Sequence, residues 1–336
     1  MRNGDNPAKA NPELPSYSRH RIIIPVYIPS LDGYFESSLS TLKLCLESLR
    51  LTTVGKANIT VVSNGSAPEV VEELDKYYQE GWIDQLLLSR SNRGKVDAVV
   101  SVARGAFEKL ITISDCDVLF KCGWLEAVED TFHNFPECGF VSPMPTPNTV
   151  WLHTSATILG GLVRRELALE KIVPDEDLDR FAHSVGNPNL FQPKHRQSQL
   201  IVRRNGATAC IGCGHFVCTI RREVLKGMPE RPSQVAIGGN SEELWLDVPS
   251  DKVGLWRLAT TKAYVYHMGN EAESWMYEEL EQCRASVEKH TNGLGELLPA
   301  RQNWTSRLPW RTRQALVRVI AAVGIDKRIF LGSSSN

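Results

Sequence analysis

The stretch L-I-T-I-S-D-C-D-V-L-F, residues 110–120, contains a buried-strand pattern that is followed at once by two acidic residues. Leu110 to Ile113 are all apolar or β-branched, which predicts a short strand in the protein interior. Asp115 and Asp117 follow, and side chains at i and i+2 of an extended segment point the same way. Open α/β sheets bind ligands beyond the carboxyl ends of their strands. The stretch therefore predicts an α/β sheet with two carboxylates at its ligand-binding edge.

Two carboxylates that converge on one point repel each other unless a cation lies between them. Oxygen ligands of this kind suit Mg²⁺ or Mn²⁺, which commonly complete their coordination with water and substrate phosphates. A buried strand that ends in a polar surface turn would show the same short pattern. The remainder of the chain has to decide between these two interpretations.

The composition is that of an ordinary globular protein of 336 residues, with 42% apolar and 23% charged residues. The net charge of −1 gives no indication of a nucleic-acid partner. Residues 1–20 lack the apolar core of a secretory signal, so we expect a disordered lead-in. Together with eight scattered cysteines, this favours a cytoplasmic protein with reduced thiols.

Strand and helix patterns alternate up to residue 142. The predicted strands are 21–28, 59–62, 83–88, 110–113 and 138–142, with helical patterns between them. This alternation predicts an α/β fold with a doubly wound, mostly parallel sheet. Pro25 predicts a frayed or bulged first strand, and Ser66 is a candidate cap for the second helix.

The pattern changes after Pro143. Residues 155–173 are helical in pattern, 210–220 and 263–266 are predicted strands, and the chain looks helical beyond 270. Residues 174–207 show no assignable pattern and could form a mobile lid. The expected organisation is a lead-in (1–20), a nucleotide-binding half (21–142), a second half (143–270) and a basic helical extension (271–336).

Five features now occur in one order along the chain: I-I-P-V-Y in the first strand, S-N-G-S after the second, N-R-G-K at a helix start, S-D-C-D, and an acidic pair upstream of Y-V-Y-H. This order resembles glycosyltransferase family 2, whose members have the GT-A fold and use nucleotide sugars. The resemblance covers about residues 20–270. It implies a GT-A-like sheet with a C-terminal helical extension and an inverting sugar transfer, as in the biosynthesis of polysaccharides.

The resemblance also implies the donor-binding residues. Asp117 would hold a divalent metal, Mn²⁺ or Mg²⁺, with Asp115 beside the ribose or the metal and His267 as a further ligand. The family's N-x-G-K places Arg93 and Lys95 at the nucleotide, where a helix start and cations favour phosphate. S-N-G-S places Asn64 there, although the family more often has aspartate in this motif. Pro25 and Tyr27 of the first strand complete this set.

The acidic pair Glu242–Glu243 matches the position of the family's catalytic acid. Glu243 would be the general base that accepts the proton of the acceptor hydroxyl, with Glu242 or Asp247 as alternatives. The family more often has aspartate at this position. His215, in G-C-G-H-F, lies where the family often has a glycine-rich stretch that lines the acceptor pocket.

The C-terminal stretch 301–331 has seven basic residues and one acid, together with tryptophans and aliphatic residues. Such a stretch could contact a membrane surface peripherally, which would suit a lipid-linked acceptor. It could equally pack on the catalytic domain and leave its basic face in solvent.

The expected partners are a nucleotide-sugar donor, first of all a UDP-sugar, and a glycan or glycolipid acceptor. One alternative is a sugar nucleotidyltransferase, but such enzymes have a glycine-rich loop where this chain has I-P-S-L-D-G-Y. A second alternative is a non-catalytic module that binds nucleotide sugars.

Overall fold

The structure is a computed structural model that describes residues 4–6, 9–10, 18–53, 55–286 and 296–323. Its strands are β1 (His20–Val26), β2 (Asn58–Asn64), β3 (Gln85–Ser89), β4 (Leu110–Ser114), β5 (Val118–Phe120), β6 (Cys138–Ser142), β7 (Leu167–Glu170), β8 (Gln199–Arg204), β9 (Ala207–Cys210), β10 (Val217–Arg221), β11 (Trp256–Ala259) and β12 (Val265–His267). Its helices are α1 (Ser38–Thr53), α2 (Pro68–Gln79), α3 (Lys95–Gly105), α4 (Trp124–Asn134), α5 (Ser155–Arg164), α6 (Asp175–Ser184), α7 (Pro193–Gln197), α8 (Val248–Lys252), α9 (Ser274–Ser286) and α10 (Trp310–Val323).

A ten-stranded sheet with the order β3-β2-β1-β4-β10-β6-β11-β9-β8-β7 forms the centre of the molecule. The strands β1, β2, β3 and β4 are parallel, as predicted, and β6 and β11 run in the same direction. The strand β10 lies between β4 and β6 and runs against both. The α/β fold with a mostly parallel, GT-A-like central sheet is thus confirmed, and strands from both predicted halves share it.

Both faces of the sheet are covered, which explains the continuous apolar run of β1. Ile22 and Ile24 lie in one hydrophobic cluster and Ile23 lies in the other, and all three are fully buried. Alternate residues of a strand point to opposite faces, so a strand between two layers of helices is apolar at every position. His20, the last residue of the expected lead-in, is a buried residue of this strand.

Two local expectations had different outcomes. Pro25 does not cause a bulge, because β1 pairs with β2 in continuous register through Pro25, but the strand is frayed on its other side, where the pairing with β4 ends at Ile23. Ser66 does not cap α2, since the capping residue is Ala67. The Ser66 hydroxyl instead donates to the Val26 carbonyl at 3.0 Å and accepts from the Ile28 amide at 3.2 Å. It joins the ends of two neighbouring strands.

The second half differs more from the sequence-based expectation. Residues 155–173 form a shorter helix, α5, and then the strand β7. Residues 174–207, expected as a lid, form α6, α7 and β8, and β8 is the central strand of an antiparallel β7-β8-β9 ladder. In the predicted strand 210–220, only the last part is regular, as β10, and a loop precedes it. Beyond residue 270, α9 and α10 confirm the helical expectation within the described residues.

The carboxylate of Asp251 connects three helices in the interior. The hydroxyl of Ser155 lies 2.9 and 2.8 Å from its two oxygens, the Ala156 amide donates to it at 2.7 Å, and the Trp310 indole donates at 2.9 Å. The guanidinium of Arg313 donates to the backbone carbonyl of Asp251. These bonds anchor α10 against α5 and α8. None of the described helices has the length and apolar character needed to cross a bilayer.

We predict that Asp251→Ala lowers the free energy of unfolding by about 3 kcal/mol, because buried donors of Ser155, Ala156 and Trp310 lose their acceptor. Urea unfolding measures the difference. The control is Asp75→Ala on the exposed surface of α2, which should change stability by less than about 0.5 kcal/mol. Equal stability of the two variants would contradict this role of Asp251.

Candidate active site

A cleft of about 550 Å³ opens at the carboxyl ends of β1, β2 and β4, where the sequence predicted the ligand edge. Six of the predicted site residues line it: Pro25, Tyr27, Asn64, Lys95, Asp115 and Asp117. The cleft is also lined by Asn92 of the N-R-G-K motif and by residues that the sequence did not single out, among them Tyr34, Phe35, Ile237 and Asn270. Tyr34 and Ile237 are 73% and 72% exposed, so apolar surface is available to a ligand.

Asn64 holds the turn that precedes α3. Its side-chain oxygen accepts from the Arg93 amide at 2.9 Å, and its nitrogen donates to the Asn92 side chain at 3.0 Å. Gly65 permits this approach, since a Cβ there would lie 2.8 Å from the Asn92 nitrogen. The Arg93 side chain is exposed and is not among the residues that line the cleft. The cation of this motif that reaches the cleft is therefore Lys95.

Gly94 lets a distant loop pack against the start of α3. A Cβ at Gly94 would lie 2.2 Å from the Val235 carbonyl oxygen, and its φ of +87° is one that side chains avoid. The Lys95 amide donates to the Ala236 carbonyl at 3.0 Å, and the Asp97 carboxylate accepts from the Ser233 amide at 2.7 Å. The loop that leads to the acidic pair is thus fixed on the nucleotide-binding half.

Lys95 joins two of the predicted acidic motifs. Its ammonium nitrogen lies 2.5 Å from Asp115 Oδ1 and 2.9 Å from Glu242 Oε1. Burial alone would lower the pKa of Lys95, but the two carboxylates outweigh it and raise that pKa. Burial alone would raise the pKa of the Glu242 carboxyl, but the charge of Lys95 outweighs it and holds that pKa below its usual value. Lys95 and Glu242 therefore remain charged as an ion pair.

The acids of the S-D-C-D motif lie in a turn between β4 and β5, not in an extended segment as the sequence analysis assumed. Both still line the cleft, as does the intervening Cys116. The strand β5 pairs with β12 so that Val118 lies opposite His267. This pairing places His267 Nε2 at 3.6 Å from Asp117 Oδ2.

Asp117 is the residue best suited to a metal ion. Its Oδ1 atom is buried and has no hydrogen-bond partner among the described residues, and burial raises the pKa of the Asp117 carboxyl. A cation would satisfy this oxygen and favour the charged form. Within the described residues, no group of three or more His, Cys, Asp or Glu side chains could hold a metal ion. Asp117 and His267 fit an ion that takes further ligands from water and phosphate.

The acidic pair begins a π-helical turn, Glu243–Asp247. Glu243 is 49% exposed, and its carboxylate lies 3.0 Å from His153 Nε2. Asp247 is bound on one side by Arg257 at 2.6 Å and on the other by His215 at 2.7 Å. Burial would raise the pKa of Asp247, but Arg257 and His215 lower it. π-Helical turns are rare and often lie at functional sites.

Most of the residues of this site lie within the part of the chain that matches a known protein family. The model of the family Glycosyl transferase family 2 matches residues 22–225, which includes Asn64, Lys95 and Asp117 but ends before Glu242. A search of curated proteins found no significant match.

Several solved structures are similar to this chain at low identity. One is S. aureus TarS 1–349, with 12% identity and a TM-score of 0.40 over 82% of this chain and 66% of that chain. The same fragment in complex with UDP-GlcNAc has 14% identity and a TM-score of 0.39 over 83% of this chain and 68% of that chain. Another is the mannosyltransferase PcManGT from Pyrobaculum calidifontis in complex with GDP-Man and Mn²⁺, with 14% identity and a TM-score of 0.43 over 92% of this chain and 76% of that chain. The chain spans just under two thirds of the TarS fragment and 41% of a longer TarS chain. Because the family model matches more than half of the chain, the chain belongs to glycosyltransferase family 2.

Proposed function

We propose that the chain is a metal-dependent inverting glycosyltransferase that moves a sugar from a nucleotide-sugar donor, first of all a UDP-sugar, to a hydroxyl of a glycan or lipid-linked glycan. One observation carries this proposal: Lys95 contacts both Asp115 and Glu242, at 2.5 and 2.9 Å. Three separate motifs of the family resemblance therefore contribute side chains to one site. Chance matches of short motifs would not be expected to converge in this way.

The donor half of the proposal places the nucleotide in the cleft. Tyr27, Tyr34 and Ile237 offer exposed apolar surface to the base or ribose, and Asn92 offers an exposed side-chain amide. The buried amide of Asn64, expected at the nucleotide, is bonded to Arg93 and Asn92 and supports this turn. Asp117 and His267 would hold Mn²⁺ or Mg²⁺ on the phosphate side, with Asp115 adjacent. Such an ion supplies Lewis-acid neutralisation of the diphosphate leaving group.

The acceptor half of the proposal assigns the general base to Glu243. The side chains of Glu242 and Asp247 are only 15% and 13% exposed, and both are held by cations. Glu243 is 49% exposed and has His153 beside it, so an acceptor hydroxyl can approach its free oxygen. The carboxylate would take the hydroxyl proton as that oxygen attacks the anomeric carbon opposite the diphosphate. His215, held by Asp247, would lie beside the acceptor.

We further propose that the enzyme works in the cytoplasm, in part at the membrane surface, through α10. Arg313 and Val317 face the protein interior, whereas Leu316 and Val319 are 44% and 61% exposed. Arg311 and Arg318 of the same helix are exposed as well. Apolar side chains beside cations suit the headgroup region of an anionic bilayer. Lys327 and Arg328 of the basic stretch lie outside the described residues.

The donor half predicts metal-dependent nucleotide binding. UDP with Mn²⁺, at about 100 times its dissociation constant, should raise the melting temperature by about 5 °C, and chelator should remove the shift. Asp117→Ala should abolish the shift because the ion loses its buried oxygen ligand, whereas Asp75→Ala should retain it. Thermal unfolding with a panel of nucleoside diphosphates makes the measurement. A panel without any metal-dependent shift would refute the donor half.

The acceptor half predicts that Glu243→Gln lowers kcat for sugar transfer by about 100- to 10,000-fold, since an amide cannot accept the hydroxyl proton. Nucleotide binding should not change. Glu80→Gln, at an exposed position at the end of α2, is the control. Nucleotide release by the wild-type protein in the presence of acceptor glycans provides the rate. If the wild-type protein binds the nucleotide but transfers no sugar to any acceptor, the chain is a non-catalytic binding module.

The membrane proposal predicts cosedimentation with phosphatidylglycerol vesicles, in amounts that fall as salt rises, and little binding to phosphatidylcholine vesicles. Leu316→Ser combined with Val319→Ser should weaken binding about tenfold or more, because buried apolar surface is lost. Leu88→Ser, at an exposed apolar position of β3, is the control. Equal sedimentation of both variants would show that α10 only packs on the catalytic domain.

A further inference from the structure

His267 is held by residues of α6, a helix that the sequence analysis did not predict. The hydroxyl oxygen of Ser184, the last residue of α6, lies 3.2 Å from His267 Nδ1. The ring of His267 meets the rings of Phe181 and Phe216 edge-on, with interplanar angles of 80° and 83°. Its other nitrogen, Nε2, faces Asp117 at 3.6 Å.

The hydrogen bonds of Ser184 determine whether its hydroxyl donates to His267 or accepts from it. Its hydroxyl donates to the Phe181 carbonyl oxygen at 2.9 Å. A serine hydroxyl has a single proton, so toward His267 it can act only as an acceptor. Nδ1 of His267 must then carry the hydrogen, and in the neutral ring Nε2 has the free electron pair.

The surroundings of the ring maintain this arrangement. The pairing of β12 with β5 fixes the His267 backbone, and the Met268 amide donates to the Asp117 carbonyl at 2.8 Å. Phe181 and Phe216 meet the ring edge-on at centroid distances of 6.2 and 5.5 Å and restrict the plane in which it lies. Nε2 faces the Asp117 carboxylate, whose Oδ1 atom is buried and has no hydrogen-bond partner among the described residues.

We propose that Ser184 is a positioning residue that holds His267 in the Nδ1–H tautomer, so that Nε2 is available as a ligand for a divalent cation beside Asp117. Groups that accept from the second nitrogen of a metal-binding histidine fix its tautomer and increase its basicity, and their loss typically costs 10- to 100-fold in metal affinity. The proposal rests on the proposed function only for the identity of the ion, since the tautomer is a property of the metal-free protein.

The first test is made on the metal-free, full-length protein. Two-bond ¹H–¹⁵N correlation spectra of ¹⁵N-labelled protein at about pH 8, above the ordinary histidine pKa of about 6.5, report which ring nitrogen carries hydrogen. His267→Gln identifies the signal among the eight histidines. The wild-type protein should show hydrogen on Nδ1, and Ser184→Ala should show a mixture of tautomers. Hydrogen on Nε2 in the wild-type protein, or an unchanged spectrum in Ser184→Ala, would overturn the proposal.

The second test measures Mn²⁺ affinity from the loss of the free-ion signal in electron paramagnetic resonance, with UDP present. Ser184→Ala should weaken Mn²⁺ binding about 10- to 100-fold, and Ser184→Thr, which keeps the hydroxyl, should restore it. Ser101→Ala is a matched control, because the Ser101 hydroxyl makes the same bond to a carbonyl three residues earlier, at 2.9 Å, in α3. Equal Mn²⁺ affinity in Ser184→Ala and Ser101→Ala would overturn the proposal.

The two tests separate this proposal from the proposed function. If the wild-type protein does not bind UDP but has the Nδ1–H tautomer, and Ser184→Ala loses it, the role of Ser184 stands and the proposed donor is wrong. If UDP and Mn²⁺ bind but the tautomer does not depend on Ser184, the donor half stands and the role of Ser184 is wrong.

Discussion

The ion pairs of Lys95 are the constraint on which the arrangement of the site depends. A buried ammonium is costly unless anionic groups surround it, and removal of one partner leaves an uncompensated charge. Asp115 lies in the turn after β4, Glu242 lies at the start of the π-helical turn, and Lys95 is the first residue of α3. A displacement of any one of these segments would therefore leave a charged side chain without its partner. The donor cleft and the acidic pair are therefore held in one fixed relation.

The acids of the site differ in ion pairing and in exposure, although all of them are carboxylates. Glu242 and Asp247 are paired with cations, and their pKa values are lowered in spite of burial. Glu243 has only a histidine as its described partner and is half exposed. A carboxylate already neutralised by a strong ion pair is a poor proton acceptor, because protonation would cost the pair. The environment, more than the residue type, separates the supporting acids from the candidate base.

The sequence predicted the first half of the fold well because its signals are local. The apolar run Ile22–Ile24, the S-N-G-S turn and the start of α3 can each be recognised from a few neighbouring residues. The second half depends on contacts between residues far apart in the chain. The strand β10 is inserted between β4 and β6, and Ser184 meets His267 across 83 residues. Residue spacing cannot reveal such contacts, so α6 and its role at the histidine were not predicted.

The asparagine at position 64 of the S-N-G-S motif also has a physical explanation in the structure. The Asn64 amide is used at both ends: its oxygen accepts from the Arg93 amide and its nitrogen donates to the Asn92 side-chain oxygen. That oxygen of Asn92 also accepts from the Gly94 amide at 2.8 Å. An aspartate at position 64 has no N–H to donate, so it would place a carboxylate oxygen against the Asn92 oxygen. Asparagine at 64 thus matches the geometry of the N-R-G-K turn, which in turn directs Lys95 toward Asp115 and Glu242.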